Sequence, residues 1–401
     1  MAMCINESTR REFFKNAAVI GAAAAGVQAV AASGAAHAAP RSAAAAGSGE
    51  KVALTNVRVF DGRVLSAPRT VVIDNGLIGI SAFGARTVDC GGAALLPGLI
   101  DSHIHVQNEG TLEQLASFGV TTGLDMACFP PSVFQGLRGL PGLTDIRSAG
   151  TPAVAPGSPQ SRIPTFPPSG VVTGPEQAHQ FVTDRIAEGS DYIKLIVDSP
   201  GLDQATLTAI TRKAHAFGRL VMAHAVTNAT IGTALTANVD MIHHVPLDAA
   251  VTAAIAGRYA GSGTIAVPTL TMMEGFAGLG IPGYSYANAR DGVATLRQAG
   301  VRILAGTDSN HTPGIPVQPA FGSSLHHELE LLVGAGLSTA EALRSATCLP
   351  ARSFGLRDRG AIRPGYRADL VLVDGDPLAD IRATRAIQRV WVGGAEYPPA
   401  S

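Results

Sequence analysis

The apolar positions of the chain fall into short runs with two rhythms. Val52 to Asp61 and Val71 to Ile80 are rich in Val and Ile, with turn residues at Asp61-Gly62 and Asn75-Gly76. This is the pattern of β-hairpins. The same texture returns near the far end, in Leu370-Val371-Leu372-Val373 and Val390-Trp391-Val392. Such strands at both ends, and not between them, predict one small β domain completed by both termini. Between them, strand and helix patterns alternate. Ala178, Phe181, Val182 and Ile186 share a helical face, after a capping-box signal at Thr173-Gly174-Pro175-Glu176. Asp191 to Val197 reads as a strand, Leu207 to Phe217 as a helix, and Leu220 to His224 as a strand. Thr227 to Ala237 and Val239 to His244 repeat the pair, and Ser338-x-x-Glu341 opens a late helix. Candidate strands near residues 100, 121, 152, 193, 222, 242, 266 and 304 predict a parallel sheet. Their number fits a (β/α)8 TIM barrel flanked by a β-sandwich built from both termini. The alternative is a doubly wound open sheet, which here lacks the G-x-G-x-x-G of its dinucleotide-binding form.

The expected organisation is a targeting segment over 1–38, a low-complexity linker over 39–50, and the first part of the sandwich over 51–97. The barrel follows over 98–362 and the rest of the sandwich over 363–401. Arg10-Arg11 precedes Phe13-Phe14-Lys15 and an Ala/Gly-rich stretch, and Ala36-His37-Ala38 has the small-x-small pattern of a signal peptidase site. This is similar to a bacterial twin-arginine signal, whose route exports folded proteins. It predicts a periplasmic or secreted protein with no stable membrane insertion, the apolar stretch being short and weak.

Composition narrows the partners. Hydrophobic residues make up 46% of the chain and charged residues 15%, which suits a buried core and excludes a disordered protein. With 30 basic and 31 acidic residues and no basic block interleaved with aromatics, nucleic acid is not an expected partner. Cys4, Cys90, Cys128 and Cys348 form no C-x-x-C pair and no disulfide framework.

The candidate chemistry sits at strand ends. In Pro97-Gly98-Leu99-Ile100-Asp101-Ser102-His103-Ile104-His105, alternation puts His103 and His105 on one face. Two such imidazoles can grip one metal ion, although the pair alone reads equally as polar residues at a strand end. Lys194 shares a face with Tyr192 and Ile196 in an apolar strand, where an unpaired charge is costly. It either reaches the rim or a carboxylate, or reacts with CO2 as a carbamate whose two oxygens bridge two cations. His224, His243-His244 and Thr307-Asp308 end three further strands. Singly, a core histidine or a helix-capping Asp accounts for each. Five strands ending alike point to one site, where barrel enzymes carry their chemistry.

These motifs are similar to those of the amidohydrolase superfamily, in particular its imidazolonepropionase-like or prolidase-like branch. The segment Pro97 to His105 resembles the family's P-G-x-I-D-x-H-x-H, and Asp191-Tyr192-Ile193-Lys194 its carboxylated-lysine strand. His224-Ala225 followed by His244 resembles its fifth and sixth strands, and Ala305-Gly306-Thr307-Asp308 its final aspartate motif. Gly365 to Val371 and Asp376-Pro377-Leu378 resemble its closing signature. The resemblance implies two divalent metal ions, most often zinc. His103, His105 and Asp308 would hold one ion and His224 and His244 the other. Carboxylated Lys194 and a hydroxide would bridge them. It implies hydrolysis of an amide bond in a small-molecule substrate, peptide-like or an N-acyl amino acid. Asp308 would take the proton of the attacking hydroxide and pass it to the leaving amine. A cyclic amidase, lactonase or deaminase reaction on the same site, or a non-enzymatic metal-binding role, are the alternatives. Homo-oligomers are frequent in the family.

One departure stands out: the family's Ile-Glu-His-Gly is here Ile242-His243-His244-Val245. Spacing gives the ligand role to His244, and alternation then expects His243 on the opposite face, structural or as a partner of a ligand. His311, His326 and His327, after the last strand, are candidates to touch substrate. The Pro-rich segment 156–170 is expected to fold over the site, and 269–287 to line an apolar pocket.

Overall fold

A computed structural model describes residues 50–163 and 165–398, so the targeting segment and nearly all of the linker lie outside the described residues. The first strands are Val52–Val59 (β1), Arg69–Asp74 (β2), Leu77–Gly79 (β3), Arg86–Asp89 (β4) and Ala94–Pro97 (β5). β2 and β3 form an antiparallel hairpin closed at Asn75-Gly76, where both residues take positive φ (49° and 79°). Asn and Gly tolerate that region, and the resulting turn matches strand twist.

The alternating region begins with Leu99–Ile104 (β6), one residue after β5, followed by Val120–Asp125 (β7) and Asp145–Ser148 (β8), a parallel three-stranded sheet. Ile193–Ile196 (β9), Val221–His224 (β10), Met241–His243 (β11) and Ile265–Val267 (β12) form a parallel four-stranded sheet. Helices alternate with these strands: Glu109–Ser117 (α1), Ala178–Ala187 (α2), Gln204–Ala216 (α3), Asn228–Thr236 (α4), Ala253–Ser262 (α5), Leu270–Gly278 (α6), Tyr286–Gln298 (α7), Ser323–Gly334 (α8) and Thr339–Ser345 (α9). The chain ends with Leu370–Val373 (β13), Ile387–Val392 (β14) and Ala395–Tyr397 (β15). β13 pairs antiparallel with β5, so strands from both ends share one sheet, in the order β15-β14-β13-β5-β1-β2-β3 with β4 beside β1.

Two expectations need correction. No continuous eight-stranded ladder forms among the described residues. The segment near 152 contributes a bridge from Ala153 to Leu195, and the segment near 304 bridges Ala266 through Ile303 and Ile104 through Ser309. Gly150 (φ 64°) and Asp308 (φ 59°) take these segments out of extended geometry, which limits the ladder to scattered bonds. The capping box at Thr173 is also absent. Gln177 reaches back to the Thr173 N–H instead (2.8 Å), and a 3-10 turn, Pro175–Gln177, leads into α2. The box at Ser338 and Glu341 does form.

Alternation along the parallel strands separates two apolar layers. Ile193, Leu195, Val221, Ala223 and Ile242 join the large cluster under the helices. Tyr192, Met222, Met241, Ile265, Val267 and Leu304 join Ile100 and Leu124 in an inner cluster between the two sheets. Burying one such side chain contributes about 1.5–3 kcal/mol. The polar residues considered next continue the inner face toward the C-terminal ends of the strands. Cys90, Cys128 and Cys348 are buried and form no disulfide. Among the described residues, no helix is long and apolar enough to cross a membrane.

Candidate metal centre

β6 does not run as a uniform strand. Its register against β7 shifts between Asp101 and Ile104, and Asp101, fully buried, accepts from the His103 and Thr307 N–H groups (3.1 and 3.0 Å). Both histidine rings come to one carboxylate oxygen: His105 Nε2 lies 2.9 Å and His103 Nε2 3.2 Å from Asp308 Oδ1. His244 Nδ1 lies 4.0 Å from Asp308 Oδ2, and the His224 ring packs on that of His244 at 4.5 Å. His103, His244 and Asp308 offer ligand atoms within 4.8 Å of one another.

Each of these imidazoles has one nitrogen committed to the scaffold. His105 Nδ1–H donates to the Ala127 carbonyl (3.3 Å), and His224 Nε2–H to Asp198 Oδ1 (3.2 Å). His244 Nδ1 meets Thr269 Oγ1 at 2.8 Å, and His103 Nδ1 meets His243 Nδ1 at 3.0 Å. The nitrogens left over are His103 Nε2, His105 Nε2, His224 Nδ1 and His244 Nε2. Fixing one nitrogen to present the other is how proteins orient metal-binding histidines.

Lys194, on β9, is 2% exposed, and its Nζ meets no hydrogen-bond partner. Burial lowers its pKa to about 7, against the pull of Asp308 and Asp125. Burial also holds His103, His243 and His244 well below the ordinary histidine value, reinforced by Lys194 and by their neighbours' rings. His105 differs: burial, the largest influence, pushes it down, but the Asp308 carboxylate with Asp125 and the Ala127 carbonyl together turn the net shift upward.

His243 faces the site rather than away from it. Met241 and His243 occupy the inner face of β11, and Ile242 the outer. β11 ends at His243, and His244 takes φ 75°, which turns its ring back to the same side. Thr269 (φ 50°) and Asp308 (φ 59°) are likewise in the left-handed region. Non-glycine residues there cost about 1–3 kcal/mol each and gather where function fixes geometry. His243 Nε2 is buried without a partner.

The histidines after the last parallel segment do not join this group. His326 bonds the Phe118 carbonyl and Thr384 Oγ1, both at 3.0 Å, at the N-terminal end of β7 and so at the wrong end of the strands. His327 pairs with Glu274 (2.6 Å), and exposed His311 lies against Phe321. Of the loop 156–170, Gln160 does approach: its amide donates to Asp198 (3.0 Å), the same carboxylate that orients His224.

Asp125, Asp198 and Thr269 were not among the sequence candidates. Asp125 and Thr269 sit at or just after strand ends, the same signal that exposed the histidines. Asp125 is fully buried between the Val106 N–H (3.1 Å) and Ser148 Oγ (2.5 Å), and burial raises it to about 6.

Histidines, a carboxylate and an unpaired lysine gather at the strand ends of a parallel α/β fold, and three of these groups, His103, His244 and Asp308, could hold a metal ion together. The chain belongs to the amidohydrolase family, whose model matches residues 196–396. An uncharacterised protein of Mycobacterium tuberculosis is 28% identical over 357 residues, covering 80% of this chain and 85% of that one. An adenine deaminase of Bacillus licheniformis is 22% identical over 340 residues, 80% of this chain but only 54% of that enzyme. The fold is also that of a solved prolidase complexed with N-methylphosphonate-L-proline, with a TM-score of 0.73, 24% identity, and coverage of 86% of this chain and 99% of that one.

Proposed function

We propose that the chain is a metal-dependent hydrolase of amide bonds in peptide-like or N-acyl amino acid substrates, working at the strand-end cluster. The proposal includes a (β/α)8 barrel circuit through the bridged segments, and a terminal β-sandwich over 51–97 and 363–401. The observation that carries the reading is Lys194, a buried amine without a partner beside imidazoles that each keep one nitrogen off the scaffold, two of them turned to Asp308.

His103, His105 and Asp308 would hold one cation, and His224 and His244 a second, with Lys194 between them as its carbamate. Burial lowers the pKa of the Lys194 amine to about 7, which favours its neutral form, the form nucleophilic toward CO2. In forming the carbamate, the nitrogen lone pair adds to the carbon of CO2, and one N–H proton leaves. The unpartnered Nζ then gains two oxygens that need counter-charge, which suits a cation pair. When bound, divalent zinc would polarise the scissile carbonyl and supply an activated water. Asp308 then has the position to take the proton from the attacking water and return it to the leaving amine. His105 and His103, both against Oδ1, fix that carboxylate in place.

The deciding experiment is metal analysis of the purified protein together with a screen of dipeptides, N-acyl amino acids, lactones and adenine. About two metals per chain with dipeptide or N-acyl cleavage is the expected result. Ammonia release from adenine would favour the deaminase chemistry of the Bacillus relative. Bound metal without turnover on any of these would leave a metal-binding protein.

His243 gives a narrower prediction. With Nε2 of His103 on a metal, its Nδ1–H needs an acceptor, and His243 Nδ1 is the atom in reach. His243→Phe is therefore expected to weaken zinc binding by ~10–100-fold in chelator competition. His243→Gln, which retains an acceptor oxygen, should recover most of it. Wild-type affinity in His243→Phe would show that His103 needs no such partner.

A further inference from the structure

The N-terminus of α6 is assembled in an unusual way. Thr269 occupies its N-cap position, and threonine ordinarily caps a helix with its own hydroxyl. Here Thr269 is left-handed (φ 50°, ψ 50°) and makes no side-chain cap bond. Its hydroxyl instead meets His244 Nδ1 at 2.8 Å. The first amides of α6 are taken by a residue from another helix. Glu328 of α8, fully buried, accepts from the Leu270 N–H (3.0 Å), the Thr271 N–H (2.8 Å) and the Thr271 hydroxyl (2.9 Å).

We propose that Glu328 is a positioning residue for His244: it caps α6 in place of Thr269, which frees the Thr269 hydroxyl to hold the imidazole. This rests on the reading of His244 as a metal ligand. The chemistry is a division of labour. Free helix amides attract an oxygen, and the nearest one by sequence is the Thr269 hydroxyl. A carboxylate brought in from α8 satisfies two amides at once, at the end of the helix dipole that favours negative charge. With the Leu270 and Thr271 amides taken by Glu328, the left-handed Thr269 stays turned toward His244. With Nδ1–H of His244 donated to Thr269 Oγ1, Nε2 keeps its lone pair for a cation. Burial raises the Glu328 carboxyl to about 7, and the bonds from Thr271 and Leu270 oppose that rise, so the amides of α6 help to keep it ionised.

The test is a double-mutant cycle on zinc affinity in the full chain, with the melting temperature of the metal-free protein recorded alongside. Glu328→Gln keeps the shape and one acceptor oxygen but loses the charge. Thr269→Val removes the hydroxyl, and Thr269→Ser restores it. Zinc affinity is expected to fall ~10-fold or more in Glu328→Gln and in Thr269→Val, within the range for residues that orient metal ligands. It should be near wild type in Thr269→Ser. In the double variant Glu328→Gln/Thr269→Val it should fall no further than in Thr269→Val alone, because Glu328 acts through that hydroxyl. A lower melting temperature with unchanged zinc affinity in Glu328→Gln would reduce Glu328 to a structural cap. Losses that multiply in the double variant would show that it acts by another route. A wild-type chain that binds no zinc would overturn the metal centre itself, and this role with it.

Discussion

Lys194→Ala is expected to lose bound metal and turnover together. The loss should exceed the ~10–100-fold typical of residues that only orient ligands, because the proposed bridging group would be gone. The reasoning starts from the cost of an amine where it sits, 2% exposed and with no partner for Nζ. A buried unpaired ammonium is unfavourable enough to shift its pKa, and here the shift ends near 7. Such a residue destabilises the fold unless chemistry compensates, and the proposed carbamate would be that chemistry. Short carboxylates such as acetate or propionate fit the space left by the truncation and offer the same two oxygens. They are expected to restore part of both metal content and rate. Lys194→Met separates the two roles of the side chain. It fills much of the volume without a charge, so the metal-free protein should melt at the same temperature or higher. Its metal content and rate should still be lost. Full metal content with unchanged turnover in either variant would remove Lys194 from the centre.

Asp308→Asn is the second large effect. Turnover should fall ~10²–10⁴-fold, the usual contribution of a positioned acid or base, and further if metal is lost with it. Asn is the right probe because Asp308 has φ 59°, a region that Asn accepts readily and Ala does not. The backbone is thereby kept while the charge is removed. A second readout is independent of turnover. His105 is held above the ordinary histidine value by Asp308, against the downward push of burial. In the metal-free protein its titration, followed by NMR, should move to lower pH in Asp308→Asn. An unmoved His105 together with wild-type turnover would show that this carboxylate is not the one that matters.

Much of the site could be read from the chain because its polar residues stand at the ends of apolar strands, where a lone His or Lys is conspicuous. Orientation was harder. His243 was expected to point away from His244 by simple alternation, and it does not, because the strand stops between them and His244 turns at φ 75°. A single backbone angle of that kind leaves no periodic trace. Asp198 and Glu328 were invisible for another reason. Each acts through a bond to a segment distant in the chain, Gln160 and His224 for the one, Leu270 and Thr271 for the other. The two interrupted segments near 152 and 304 carry strand-like apolar residues, and their departure from a regular ladder lies in the backbone at Gly150 and Asp308. His326 illustrates the opposite error: a histidine near the motif in sequence, yet committed to the far end of the strands.

The pairing of β5 with β13 has a consequence for how the protein is made. β5 runs into the strand that bears His103 and His105, and the Gly98 N–H between them donates to the Asp369 carbonyl (2.7 Å). Its partner strand begins only at Leu370, so it leaves the ribosome long after β5. At ~5–20 residues per second, the wait is on the order of tens of seconds. Through that time β5 is an apolar strand edge open to mispairing, and the first two histidines lack their anchor. If the cluster is a metal centre, loading belongs after β13 has paired, and a chain truncated before β13 is expected to aggregate rather than bind metal.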